Sequence, residues 1–215
     1  MNKSTPFILP TAYLPPIEYF SLLNTSKAII IEQHETYSKQ TYRNRCEIYT
    51  EKGKMPLIIP VSKPSGKQTI TEDILIFNQD KWYVKHWRAI ETAYKAAPFF
   101  LYYSNEINSF YNGTFHNLLN FNLELTKLFC QIIGIETELA LSADYLKQVD
   151  TKIDYREAIS PKKPNIITSF PDYTQVFSTN HGFIPNLSII DLLFNLGPES
   201  YNYISDLSEK LKIER

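Results

Sequence analysis

The sequence is short of glycine, cysteine and net charge, and each shortage removes a class of function. Its six glycines form no GxGxxG, no P-loop and no GxSxG pattern, which argues against a glycine-lined nucleotide cradle. Its two cysteines, Cys46 and Cys130, lie in unlike contexts without paired spacing, so no disulfide framework or cysteine metal site is implied. No HxxH or HExxH spacing offers a metal either. Lysine and arginine number 22 against 23 aspartates and glutamates, for a net charge of −1. That balance argues against coating nucleic acid or an acidic membrane, although a local basic patch stays open. No apolar run approaches ~18 residues, so no membrane insertion is expected. Pro6, Pro10, Pro15 and Pro16 interrupt the N-terminus, which does not read as a secretory signal. The expectation is a soluble cytoplasmic protein.

What is present suits one α/β domain. The 43% hydrophobic content across 215 residues suffices for a core. Phe7-Ile8-Leu9 reads as a first strand, Thr11–Pro16 as a stiff loop, and Pro16 as the start of a helix from Ile17 to Leu23. Ala28–Ile31 is a β-branched run that reads as a buried strand parallel to the first, giving a βαβ unit. Strands are expected at Tyr42–Tyr49 and Met55–Val61 around the Glu51–Lys54 turn, and again at Ile70–Ile76. Asn78 caps an expected helix from Gln79 to Ala96, Phe99–Asn112 reads as helical, and Thr114–Ile133 carries the clearest three-and-four periodicity, closed by Gly134. Glu138–Ser142 and Tyr173–Phe177 read as strands, Leu187–Leu196 as a short apolar helix, and a last helix starts at Pro198. Asp144–Asn165, charged and holding Pro161 and Pro164, reads as an exposed connector. The predicted class is therefore α/β, a mixed sheet flanked by helices. A sheet part covers 1–77 and a mainly helical part 78–215.

The candidate chemistry concentrates in one polar block that follows the second strand. It contains Glu32, His34, Glu35, Tyr37, Lys39, Gln40, Arg43, Asn44 and Arg45. Polar groups at the end of a buried strand are where ligands sit in open α/β sheets. On a strand Arg43 and Arg45 face one way, and two guanidinium forks suit a phosphate or carboxylate. Ion pairs with Glu32, Glu35 or Glu47 are the alternative. His34 is a candidate general base with a neighbouring carboxylate to orient it. His86 lies mid-helix on a largely apolar face, where a core role competes with a catalytic one. Cys46 becomes a nucleophile only if exposed near a histidine. Trp82, Trp87 and the tyrosines, Tyr37 among them, offer stacking faces or plain core packing.

The motifs also carry a resemblance. LPTAYLPPIEYF at 9–20, Asn44-Arg45 followed by Ile48, LIIPV at 57–61, Trp82 with His86 and Trp87 before AYKAAPFF, and GFIPNLSIIDLLFNLGPE at 182–199 together resemble the WbqC-like protein family over nearly the whole chain, as a single domain. Members occur in loci for lipopolysaccharide O-antigen and other surface glycans. The resemblance thus implies group transfer (acyl, aminoacyl or nucleotidyl) in surface-polysaccharide precursor synthesis, with a nucleotide-sugar or acyl donor as partner. Catalytic roles fall to His34, His86 and Glu32, and binding roles to Thr11, Tyr37, Arg43, Asn44, Arg45 and Trp82. No metal is expected, and no cofactor is specified. The strand, proline loop, helix and strand at the N-terminus are similar to the opening of the HIGH-type nucleotidyltransferase fold, an analogy of fold alone. The chain departs from the family pattern at Glu18, where glycine is usual, at Glu32-Gln33 in place of Asp-Asp, and at Cys46 in place of Asn. Its short span after Ser142 lacks the Gly-Lys-Lys-Thr segment and Ser-Gly-Pro-Gly loop of longer relatives. A non-catalytic binding or scaffold protein is the rival reading.

Overall fold

The computed structural model describes residues 6–147, 149–150 and 153–213. Strand β1 (Phe7–Pro10), helix α1 (Ile17–Thr25) and strand β2 (Ala28–Glu32) form the expected βαβ unit. β3 (Arg45–Thr50), β4 (Gly53–Ile58), β5 (Val61–Ser62) and β6 (Leu75–Ile76) follow. Helices α2 (Trp82–Tyr94), α3 (Phe100–Asn108) and α4 (Leu118–Ile133) precede β7 (Glu138–Leu141). The chain ends in α5 (Ser178–His181), α6 (Ile189–Leu196) and α7 (Ser200–Ile213).

The central sheet is parallel, in the order β1-β2-β7. Phe7 to Pro10 pair with Ile29 to Glu32, and Ala28 to Ile31 pair with Glu138 to Leu141. On the outer side of β1, Ile8 bridges Asp154 in parallel, with Tyr155 N–H donating to the Ile8 carbonyl at 2.8 Å. The expected mixed sheet is instead a parallel sheet with two separate antiparallel ladders, β3–β4 and β5–β6: the outer edge of β3 meets the Ser188 amide at the Glu47 carbonyl and the Tyr94 hydroxyl at the Tyr49 amide, not another strand. Strand β7, from the mainly helical part, completes the sheet of the N-terminal part.

Several element boundaries move for identifiable reasons. The strand expected from Tyr42 begins at Arg45, because residues 42–44 form a turn. Of Ile70–Ile76 only Leu75 and Ile76 form a strand: Ile70 makes a single antiparallel bridge to Thr36, and Thr71–Asp73 is a 3₁₀ turn. The Thr71 and Glu72 amides donate to the carbonyls of Glu35 and Gln33 at 2.9 and 3.0 Å, binding this segment to the polar block and not to a sheet. Helix α2 starts at Trp82 because Lys81 takes a left-handed conformation (φ 47°). Asn78 is no cap: its side chain donates to the Phe115 carbonyl at 2.8 Å and accepts from Trp82 Nε1 at 2.8 Å. The true cap in this region is Asn117, whose side chain accepts from the Asn120 amide at 2.9 Å and starts α4. Tyr173–Phe177 is not a strand, since the Gln175 side chain bonds both the N–H and the carbonyl of Ile184. The connector 144–165 is not simply exposed, because Tyr155, Arg156 and Ile159 are buried.

The C-terminal part closes over the N-terminal loop. In α6, Ile189, Ile190, Leu192, Leu193 and Phe194 are buried, as expected of a helix apolar on all sides. Just before it, Ser188 bridges Pro16, Ile189 N–H donates to the Pro15 carbonyl at 2.9 Å, and Ser188 N–H reaches the Glu47 carbonyl at 2.9 Å. Glu18 is buried within this junction and accepts the Ile166 amide at 2.8 Å. Burial holds its carboxyl above the ordinary range. The carboxylate that stands where glycine is usual thus ties the 143–177 span to α1. Asp191, in the first turn of α6, is fully buried and accepts from the Tyr173 hydroxyl at 2.6 Å and from Gln175 Nε2 at 2.8 Å.

The end of α6 yields a test. Gly197 has φ +55°, and a Cβ there would lie 2.5 Å from the Phe99 ring. At Gly134, φ is +88° but the space is open. Gly197→Ala should destabilise by roughly 2–4 kcal/mol, from conformational strain plus overpacking, and Gly134→Ala by only about 1 kcal/mol. Urea denaturation midpoints of the two variants measure the difference.

Candidate functional site

The parallel register gathers the carboxyl ends of β1, β2 and β7 at one rim, where the polar block begins. Glu32, the last residue of β2, is fully buried. Its Oε1 accepts from the His34 amide at 2.9 Å and from Ser142 Oγ at 2.7 Å. Its Oε2 accepts from the Leu146 amide at 3.1 Å and from Arg156 Nη1 at 3.4 Å. Burying a carboxylate is costly unless its lone pairs are met; here four donors meet them. Arg156 then forks onto Asp154 through Nε and Nη2, at 2.9 and 2.6 Å. This grip holds the Asp154 carboxyl below the ordinary range. Arg156 also stacks over Tyr145 at 5.4 Å. Tyr145, Asp154, Arg156, Glu35 and Glu157 line a cleft of about 230 Å³.

His34 stands beside this cluster. Its Nδ1 lies 3.3 Å from Glu72 Oε1, so the orienting carboxylate is Glu72 and neither of its sequence neighbours. The side chain keeps 23% of its surface exposed, and Gln33 Nε2 lies 3.4 Å from its Nε2. A partly exposed histidine held at one nitrogen by a carboxylate, with only one long amide contact at the other, has the arrangement of a general base.

The two arginines part company. Arg43 is in the turn before β3, not on the strand, and points inward. Its Nε and Nη2 grip Glu35 at 2.6 and 2.7 Å, and Nη2 also donates to the Arg156 carbonyl at 3.3 Å. Arg43 is 2% exposed. Burial raises the Glu35 carboxyl, against the pull of Arg43. Arg45, on β3, pairs instead with Glu47 at 2.8 Å, and Glu47 also takes Lys54 at 2.7 Å. Arg45 lines a second cleft of about 210 Å³ with Tyr37, Lys39, Gln40, Asn44, Ile58 and Val61. Asn44 donates to the Ile59 carbonyl at 2.8 Å and so fixes the wall of that cleft.

The remaining candidates lie in the interior. Thr11 Oγ1 accepts from Asn122 Nδ2 at 3.2 Å, and the same amide donates to the Arg43 carbonyl at 2.7 Å. Trp82 and His86 belong to an aromatic cluster, with ring centroids 5.0 Å apart. The Tyr13 hydroxyl lies 2.9 Å from His86 Nδ1 and 2.9 Å from the Tyr111 hydroxyl. Burial lowers the imidazole to about 4, against a hydrogen bond to the Ile58 backbone. With Nε2–H on Ile58, Nδ1 accepts from Tyr13, and Tyr13 in turn accepts from Tyr111. Cys46 is fully buried and its thiol is pushed well up by burial. A thiol so placed is no nucleophile at neutral pH.

The structure therefore brings Glu32, His34 and Arg43 to one rim and Tyr37, Asn44 and Arg45 to an adjoining cleft. It sets Thr11, Trp82 and His86 inside. Glu72, Ser142, Asp154 and Arg156 were not singled out from the sequence. One signal for two of them lies in the alternation Ile153-Asp154-Tyr155-Arg156, a period-two pattern hidden in a stretch of high charge. Among the described residues no group of three or more His, Cys, Asp or Glu side chains is placed to hold a metal ion, and no helix is long and apolar enough to cross a membrane.

Comparison with known proteins agrees with the motifs. The WbqC-like protein family matches residues 11–162 and 163–203. The chain is 30% identical over 225 residues to the uncharacterised protein Rv1507c of Mycobacterium tuberculosis, covering 92% of this chain and 96% of that one. No solved structure matches. The chain belongs to the WbqC-like protein family.

Two sets of variants test these environments. Arg43→Met should cost about 3–5 kcal/mol because it strands a buried carboxylate, and Arg43→Met with Glu35→Leu should cost less than the two single changes added. A double-mutant cycle in urea reads the coupling. The pH dependence has two opposed sources. Burial raises Asp191 to about 6, so its contribution is complete below the unfolded value near ~3.9 and is lost as pH rises through about 6. His86, depressed to about 4, contributes fully above ~6.5 and loses that contribution as pH falls. Each is worth roughly 3 kcal/mol, and between them they offset. Asp191→Asn should therefore make the protein acid-labile, whereas His86→Phe should make stability fall from pH 4 to 6. Denaturation midpoints across that range check both slopes.

Proposed function

We propose that this WbqC-like family member transfers a group (acyl, aminoacyl or nucleotidyl) in the synthesis of bacterial surface-polysaccharide or O-antigen precursors. The observation that carries the reading is His34, held by Glu72 at Nδ1 and met at Nε2 only by the Gln33 side-chain amide at 3.4 Å, at the rim where the parallel strands end. With Nδ1–H donated to Glu72, the Nε2 lone pair can take a proton from an attacking hydroxyl or amine. The Gln33 amide beside Nε2 is displaced by substrate in this scheme. Glu32 fixes the His34 backbone and acts as a positioning residue. Arg156 supplies positive charge next to the reacting group, where charge develops during transfer. Tyr37, Asn44 and Arg45 hold the anionic part of a nucleotide-sugar or acyl donor, and Arg43 shapes the wall between the two clefts. His86 is the weaker base, because burial and the Tyr13 hydrogen bond occupy it.

One observation favours the rival, a non-catalytic binding protein. Glu32, Arg43 and Arg156 satisfy one another internally, so the rim serves architecture as fully as it could serve substrate.

The test begins with a thermal-shift screen of nucleotide-sugars, acyl-CoA and aminoacyl donors, since a bound ligand raises stability by mass action. Transfer is then assayed with the ligand that binds. His34→Gln should keep the ligand-induced shift and lose transfer by about 10²–10⁴-fold. Unchanged transfer would overturn the role of His34. Ligand binding by a wild-type protein that transfers nothing would establish the binding protein instead.

A further inference from the structure

The cleft of Tyr37, Lys39, Gln40, Asn44, Arg45, Ile58 and Val61 has an unusual charge balance. On the hairpin face beside it, Glu47 answers both Arg45 and Lys54. Lys39, which lines the cleft, has no ion pair among the described residues. The same holds for Lys63, whose Nζ sits 4.6 Å above the ring of Tyr37, a residue that lines the cleft. Lys63 is held below the ordinary lysine range by partial burial and by the charge of Lys39. Arg45 Nε, shielded from solvent, meets no acceptor. Like charges gathered without a counter-charge cost free energy, which an anion between them would recover.

We infer that Lys39, Lys63 and Arg45 form a clamp for a phosphate or diphosphate ester, with the organic part of that ester lying along Ile58 and Val61. The inference rests on the donor site of the proposed function and adds its ligand class. Two unanswered ammonium groups beside a guanidinium exceed what a single carboxylate balances. A diphosphate offers enough charge and enough acceptor oxygens to reach all three. A cleft of about 210 Å³ takes one such group, not the length of a nucleic-acid strand, and the net charge of −1 agrees. Tyr37 gives the clamp a rigid floor, since its ring is buried and anchored by the Thr69 carbonyl at its own amide, 3.0 Å away. Ile58, half exposed on β4 opposite Arg45, puts apolar surface directly beside the charges. A bare inorganic ion has no use for that surface.

The experiment is calorimetric titration of the full chain at low salt with inorganic pyrophosphate, with UDP and with farnesyl diphosphate. These separate the charged group alone from a nucleoside or an isoprenoid carrier of it. The wild-type protein should bind at least one of them, less tightly as salt rises. Lys39→Ala with Lys63→Ala should weaken binding at least about tenfold. Lys85→Ala with Lys95→Ala removes equal charge from exposed positions of α2 and its end and should leave affinity unchanged. Tighter binding of UDP or of farnesyl diphosphate than of pyrophosphate would identify the organic part. No binding by the wild type, or equal binding by the Lys39 and Lys63 variant, overturns the clamp. Loss of transfer in His34→Gln with intact binding in that lysine variant would overturn the clamp alone, whereas clamp binding without any transfer would overturn only the enzymatic reading.

Discussion

Glu32 sets the terms for everything at the rim. A carboxylate at the end of a central strand, fully buried, cannot be left with open lone pairs. Its four donors come from three places: the backbone just after β2, Ser142 just after β7, and the connector through Leu146 and Arg156. Satisfying one side chain therefore fixes where two strand ends stand and pulls a charged, irregular segment onto the sheet. Arg156, once recruited, is itself answered by Asp154, and its carbonyl accepts from Arg43. The chain of dependence runs from one acid to most of the polar block.

Much of this architecture was legible in the residues. The β-branched run of β2, the prolines before α1, the three-and-four periodicity of α4 and the apolar α6 each state their element locally, and each is found. What was not legible is long-range. Arg43 and Arg45 read as one face because the expected strand starts three residues before β3 does, and the turn that separates them depends on Tyr13 N–H reaching the Tyr42 carbonyl. Glu72 meets His34 only because its segment binds the Gln33 and Glu35 carbonyls. A connector with two prolines and many charges carries no local sign that it will be drawn over a buried acid.

The polar block therefore serves two surfaces with different electrostatics. On one side acids and arginines answer each other, with a partly exposed histidine among them. On the other, Lys39 and Lys63 have no ion pair among the described residues and stand beside apolar surface. Arg43 and Asn122 lie between, neither of them exposed. Asn122 donates to both Thr11 and the Arg43 carbonyl, which locks the first strand's end to the wall shared by the two clefts. A change at either surface would meet the other through this wall.

The junction of Leu187–Ile189 with Pro15–Ile17 has a consequence for how the protein is made. The end of the loop after β1, at Pro15 to Ile17, bonds to residues roughly 170 positions later, which emerge from the ribosome about ten to thirty seconds after it does. Until then Leu14, Ile17 and Phe20, all fully buried in the finished molecule, have no α6 to rest on. Contacts so distant in sequence pay their loop-closure entropy before any return. The junction is accordingly organised only after every partner of the Glu32 rim, the latest being Arg156, has been made.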